Sequence, residues 1–204
     1  MAKIPAGILG RVSGKVGAVV GASWKGIPYL RQYVIPANPN TAAQQVERTA
    51  FSDLVAMAKT LLGSVLQVFW DPFLKANSGW AHFIGINRKL YVTPDDYSTV
   101  HIAEGILEGT TISLAGYSGT DVAFTWSGTA LGNGSATDPV ILYVYDEVNK
   151  VGFVNDTYER QDASGALTVG AGRTAANLNA YLFLTDSLTE PTMVSYSDHS
   201  NVTG

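Results

Sequence analysis

The sequence predicts an α+β protein: an N-terminal β-arm or hairpin and a group of helices, packed with a C-terminal antiparallel immunoglobulin-like β-sandwich. Three observations lead there. Residues 1–39 are rich in glycine, β-branched and aromatic residues. Residues 40–92 carry apolar side chains at spacings of three and four, the mark of an amphipathic helix. From 98 to 204 the apolar period falls to two, with turn residues at short regular intervals. The expected domains are therefore a glycine-rich β-arm (1–39), a helical platform (40–92) and a β-sandwich (98–204).

In the arm, "KVGAVVGASW" and "IPYLRQYVI" read as two strands joined by a turn at Trp24, Lys25 and Gly26. Tyr29, Arg31, Tyr33 and Ile35 alternate with Leu30, Gln32 and Val34, which suits a strand touched on both faces. Pro39 disfavours helix before it, Asn40 or Thr41 supplies a cap, and Thr41 with Gln44 has capping-box spacing. Val46, Ala50, Leu54, Ala58, Leu61, Val65 and Phe69 then form an apolar stripe, broadened by Phe51, Val55 and Leu62. The spacing predicts a helix over 41–62, kinked or ended at Gly63, with a further helical stretch to Trp70. Asp71 and Pro72 break it, and "GWAHFIGINRKLY" (79–91) reads as the last helix.

Eight strand candidates follow: "TVHIAEGILE", "TTISLAGYS", "TDVAFTWSG", "PVILYVYDEV", "KVGFVNDTYERQ", "GALTVGAG", "NLNAYLFLTD" and "MVSYSDHSNV". Val122, Phe124 and Trp126 share one face of theirs; Tyr181, Phe183 and Thr185 are the expected inward set of another. "PVILYVYD" is apolar on both faces and so predicts a central strand, or one covered by the helices.

Composition narrows the function. Charged residues make up 15% of the chain, against a usual share of roughly 25%. With 21 glycines this predicts much β-structure and a surface covered by neighbours. A net charge of −4 argues against a general nucleic-acid binder, which needs a basic face to displace counterions. The absence of cysteine excludes disulfides, thiolate metal sites and a cysteine nucleophile. Arg11 and Lys15 interrupt any signal-peptide core. No uninterrupted apolar run reaches the ~18 residues of a membrane span.

Catalytic patterns are missing as well. "GRVSGKVG" places three residues between Gly10 and Gly14 and Val16 after Lys15, so it departs from a phosphate-binding loop at both ends. His82, His101 and His199 lack zinc spacing and read as a helix residue, an edge-strand residue and an exposed tail residue. Asp95, Asp96, Asp146, Glu147, Asp156 and Glu159 read as solvated residues of turns and strand ends; "DPVILYVYDEVNK" lacks the alternating ligands of a calcium loop. No serine lies in a nucleophile elbow. Trp70, Phe73 and Trp80 could stack on a sugar, but their helical spacing favours a role in the core. No cofactor, metal or catalytic residue is expected.

The block "GILGRVSGKVGAVVGASWKGI" (7–27), followed by an arginine-bearing strand and "NPNTAAQQVER" (38–48), resembles a functionally uncharacterised family common in Bacteroidetes genomes, prophages and their phages. The resemblance continues through Val122–Trp126, Asp138–Tyr145 and Tyr181–Ser197. It supplies no catalytic residues. Similar arms followed by "N-P-x-T-x-x-Q" helices look like those of small virion structural proteins of phage morphogenesis regions. What this implies is a non-enzymatic virion protein that is made in the host cytoplasm and assembles with copies of itself and other virion proteins. The expected interface is Gly14, Gly17, Gly21, Trp24, Tyr29, Arg31 and Tyr33, with glycines permitting close approach and aromatics anchoring. The alternative is a sandwich that binds glycan or another host ligand.

Overall fold

The computed structural model describes residues 13–91 and 96–204 in full and the backbone of residues 2–3. Gly7, Gly10 and Asp95 of the motifs above lie outside the described residues. The chain forms two units, Met1–Thr41 and Ala42–Gly204.

The first unit is a four-stranded antiparallel sheet of β1 (Ala2–Lys3), β2 (Gly14–Val16), β3 (Val19–Trp24) and β4 (Ile27–Gln32), in the order β1-β4-β3-β2. The single strand expected over 15–24 is in fact two. Gly17, at φ +59°, turns the chain at Gly17–Ala18 and folds β2 back onto β3. The expected turn after Trp24 is present: Lys25 and Gly26 both have positive φ (47° and 82°), the geometry that matches the twist of a two-residue hairpin. β4 stops at Gln32, and Val34 and Ile35 beyond it are 67% and 77% exposed.

The second unit has three layers. Its long helix α1 (Ala42–Leu61) starts directly after Thr41, widens into a π-helical turn at Leu62–Leu66 and continues as α2 (Gln67–Phe69). Gly63 therefore neither ends the helix nor separates two helices; the apolar stripe carries on through the widened turn. Ala50, Leu54, Met57, Ala58, Leu61, Val65, Leu66 and Phe69 are buried. Val46, Phe51 and Leu62, expected in that stripe, are exposed. For Val46 the reason is that burial begins only at Ala50; Phe51 and Leu62 lie on the helix's outer side. The run Ala42–Phe69 is long and apolar enough by composition to cross a membrane, although Glu47, Arg48, Asp53 and Lys59 interrupt it. Its apolar stripe packs on a sheet, as that of a core helix does.

A 3₁₀ turn, Asp71–Phe73, carries the break at Pro72, and α3 (Gly79–Leu90) follows as expected. The Ser78 hydroxyl caps α3 by accepting from Ala81 N–H at 3.3 Å, and Arg88 and Lys89 suit the negative end of its dipole.

Seven strands form two antiparallel sheets. β5 (Ile112–Tyr117), β6 (Asp121–Trp126) and β9 (Ser164–Thr168) lie in the order β5-β6-β9. β7 (Pro139–Asp146), β8 (Val151–Glu159), β10 (Leu178–Leu184) and β11 (Asp198–Asn201) lie in the order β11-β10-β7-β8. The chain is thus a mixed α+β fold with three antiparallel sheets and one long helix.

The two-sided apolarity of β7 now has its cause. Ile141, Tyr143 and Tyr145 join the helices in one core, while Val140, Leu142 and Val144 join Val122, Phe124 and Trp126 of the other sheet in a second. Burying each such side chain contributes about 1.5–3 kcal/mol. β10 behaves alike. Tyr181 and Phe183 meet the helices as expected, but Ala180, Leu182 and Leu184 are equally buried against the second sheet.

One expected strand is missing. Thr99 ends a 3₁₀ turn, Tyr97–Thr99, and residues 100–108 are irregular apart from a single parallel bridge, Leu107 to Ser195. Side chains serve this backbone in place of a ladder. Asn87 accepts from His101 N–H at 2.7 Å and donates to His101 C=O at 2.9 Å, Ser197 Oγ accepts from Ile102 N–H, and Trp70 Nε1 donates to Ile102 C=O. With its polar groups satisfied, the segment buries Val100, Ile102 and Ala103 without pairing as a strand.

Candidate functional site

Strand register sorts the expected interface residues of the arm. Lys15 faces Val20, which faces Arg31; Ala22 faces Tyr29; Trp24 faces Ile27. Paired residues project from the same side of a sheet, so Lys15, Trp24, Tyr29 and Arg31 share one face. Tyr33 joins them: its N–H donates to Ala18 C=O at 2.8 Å, and Lys15 Nζ lies 3.7 Å from the centre of its ring. At the hairpin tip Lys25 Nζ lies 4.9 Å from the Trp24 ring. Trp24 is 64% exposed with Ile27 exposed beside it, and Tyr33 is exposed at the other end of the sheet.

The glycines lie elsewhere. Gly14 pairs with Gly21 on the opposite face, together with Leu30, and Gly17 sits in the turn. At Gly14 and Gly17 the backbone has φ +95° and +59°, which by itself calls for glycine, and an added Cβ would meet no neighbour among the described residues. Lys15 is the member of the aromatic and cationic face that the sequence pattern missed. Periodicity carries no sign of it, because the turn at Gly17 resets the alternation between Lys15 and Val20.

The other chemical groups have structural partners. His82 Nε2 is 3.9 Å from Glu104 on the face of α3. His101 lies in the irregular segment rather than on an edge strand, with its ring against Tyr196. His199 is no exposed tail residue: it is half-buried in β11, 4.9 Å from the Tyr181 ring, and burial lowers its pKa against the opposing pull of Asp198 and Asp96.

Asp146 is buried instead of solvated. Burial alone raises its pKa, but hydrogen bonds from Asn149 and the Arg173 guanidinium outweigh this and hold it below the usual carboxylate range. Asp138 accepts from Ser135 N–H and pairs with Arg160 at the far end of β7, so the strand separates it from Asp146 and Glu147, the other carboxylates of "DPVILYVYDEVNK". Asp156, expected at a turn or strand end, lies exposed inside β8. Among the described residues no three His, Asp or Glu side chains cluster as metal ligands would.

The Tyr97 and Tyr145 rings lie 5.3 Å apart, tilted by 57°, and burial raises both phenol pKa values well above the ordinary range, so the hydroxyls stay protonated. A cavity of about 220 Å³ beside the π-helical turn is lined by Ser64, Val68, Ile141, Val154 and Asp156 among others, with that one carboxylate. A second, of about 70 Å³, lies beside Trp70, Phe73, His82 and Glu104. Neither brings two carboxylates together as glycoside hydrolysis needs. Trp70 is buried with its indole bonded to Ile102, and Trp80 packs at the margin of the helical core.

No curated protein and no solved structure matches the chain. A family model does, over residues 11–189, which takes in most of the arm, the helices and nearly all of the strands. The chain therefore belongs to that family, a family of unknown function (DUF6266).

Proposed function

We propose that this chain is a non-enzymatic structural protein of a bacteriophage virion, present in many copies and self-assembling through its N-terminal arm. The observation that carries the reading is the arm itself. Val16, Trp24 and Ile27 of its sheet, and Tyr33, Val34 and Ile35 just beyond β4, are all exposed, whereas the 42–204 unit has two extensive cores of its own. A small sheet that buries so little is stabilised when a neighbour covers it. The likeness of "GKVGAVVGASWKGI…NPNTAAQQ" to arms of small virion proteins supplies the phage context. In this reading the two facing sheets are an immunoglobulin-like sandwich carried on the helices. The protein is made in the host cytoplasm, ends in the virion and uses no cofactor. Connector, decoration, vertex, spike and tail positions all fit.

Deleting residues 2–35 tests this. The shortened chain remains folded and soluble but loses the oligomer; an unchanged mass by light scattering rejects assembly through the arm. The glycan-binding alternative has less support, since Trp70 is buried and the cavity beside Phe73 is only about 70 Å³.

A further inference from the structure

Charge divides along the chain at nearly the same place as structure does. Residues 1–46 hold Lys3, Arg11, Lys15, Lys25 and Arg31 and no Asp or Glu; all 17 acidic residues follow, with the other eight basic ones. The unit Met1–Thr41 thus carries +5 and the unit Ala42–Gly204 carries −9, which together give the net −4. Within the arm, Lys15 and Arg31 lie on the face that also presents Trp24, Tyr29 and Tyr33.

We propose that this face of the arm docks onto the acidic 42–204 unit of a second copy, in a head-to-tail and salt-dependent contact. The inference rests on the self-assembly reading above and names the face and the chemistry of the contact. Opposite charges favour it in two ways: they draw the arm of one copy to the body of another, and they disfavour arm-to-arm and body-to-body pairing. Nucleic acid is the less suitable occupant. Among the described residues the face offers Lys15 and Arg31, with Lys25 against the Trp24 ring, set among apolar and aromatic side chains, and a tethered body of −9 repels a polyanion. A contact between two different surfaces repeats from copy to copy, so it closes a ring or extends a filament. Gly14, Gly17 and Gly21 shape the sheet and its turn and lie off the docking face.

The test uses the full-length protein and sedimentation velocity at about 50 mM and about 500 mM salt, which brackets screening lengths from longer to shorter than 10 Å. The oligomer is expected at low salt and dissociates at high salt. The double variant Lys15→Glu/Arg31→Glu is expected to weaken association about tenfold or more. Gln32→Glu adds negative charge on the opposite face and is expected to leave association unchanged. The salt series on the native protein needs no variant to fold.

An oligomer indifferent to salt and to the double variant overturns the charged-face contact; if deletion of residues 2–35 still dissociates it, assembly through the arm survives. Equal weakening by Gln32→Glu overturns the choice of face. A monomer under every condition overturns both readings. So does a monomer that binds a labelled single-stranded oligodeoxynucleotide and loses it in the double variant.

Discussion

Arg160 Nη2 lies 3.4 Å from the Asp138 carboxylate, with both side chains out of solvent. The guanidinium also donates to the carbonyls of Glu108, Gly109 and Thr129, so one buried cation ties the end of β8 to two connecting loops. Its Nε finds no partner among the described residues. A buried pair of this kind need not stabilise the fold relative to apolar packing, but removing one member leaves an uncompensated charge.

Asp138→Asn therefore lowers unfolding free energy by about 3–5 kcal/mol, whereas Asp138→Leu with Arg160→Met loses less than the sum of the single changes. Urea denaturation of the native protein, Asp138→Asn, Asp138→Leu, Arg160→Met and the double variant measures this. Additivity of the two changes would show that the pair is not coupled.

Two glycines separate close approach from simple helix propensity. A Cβ at Gly105 would lie 2.0 Å from the Val194 carbonyl oxygen, so Gly105→Ala forces the backbone apart and costs about 3 kcal/mol. Gly85 is exposed on α3 with open space around it, and Gly85→Ala raises stability by about 0.5–1 kcal/mol. Thermal melts of the two variants should move in opposite directions.

His199 makes stability depend on pH. Burial lowers its pKa in the folded chain, so the unfolded chain binds its proton first as pH falls below about 6.5. Stability therefore falls with pH in that window, down to the folded-state value, and rises as pH increases. His199→Gln flattens the change in urea midpoint between about pH 7.5 and pH 5.5. A slope unchanged by the substitution would assign the titration to another group.

Gly17 distinguishes backbone need from contact. Asparagine tolerates the left-handed conformation, so Gly17→Asn keeps the β2–β3 turn, while Gly17→Val, β-branched, strains it. Gly17→Asn is expected to assemble normally and Gly17→Val poorly, by light scattering. Equal loss in both would mean that a neighbour packs against the turn.

The strands at 112–117, 121–126 and 139–146 and the helices after Thr41 and Ser78 were legible, because each repeats an apolar period or, at 139–146, keeps a continuous apolar run for long enough to be read. The turn at Gly17 was not, since "KVGAVV" stays apolar through it. The segment at 100–108 imitates a strand because Val100 and Ile102 are buried, yet its backbone is bonded by Asn87, Ser197 and Trp70 from distant parts of the chain. Within the candidate site, Trp24, Tyr29, Arg31 and Tyr33 were legible as a set. Lys15 could be added to it only through the register of β2 on β3.

By itself, then, the sequence determined the α+β class, the kinds of most elements, the family resemblance and the concentration of positive charge in an arm without acidic residues. Those properties are local or additive: periodicity, composition and charge survive in any arrangement of the chain. Tertiary structure alone decided that β7 and β10 serve two cores at once, that Arg160 is buried, and that Lys15, Trp24, Tyr29, Arg31 and Tyr33 share a face from which Gly14 and Gly21 are absent. Each of these depends on which strands pair and in what register, and a slip of one residue would reverse every face.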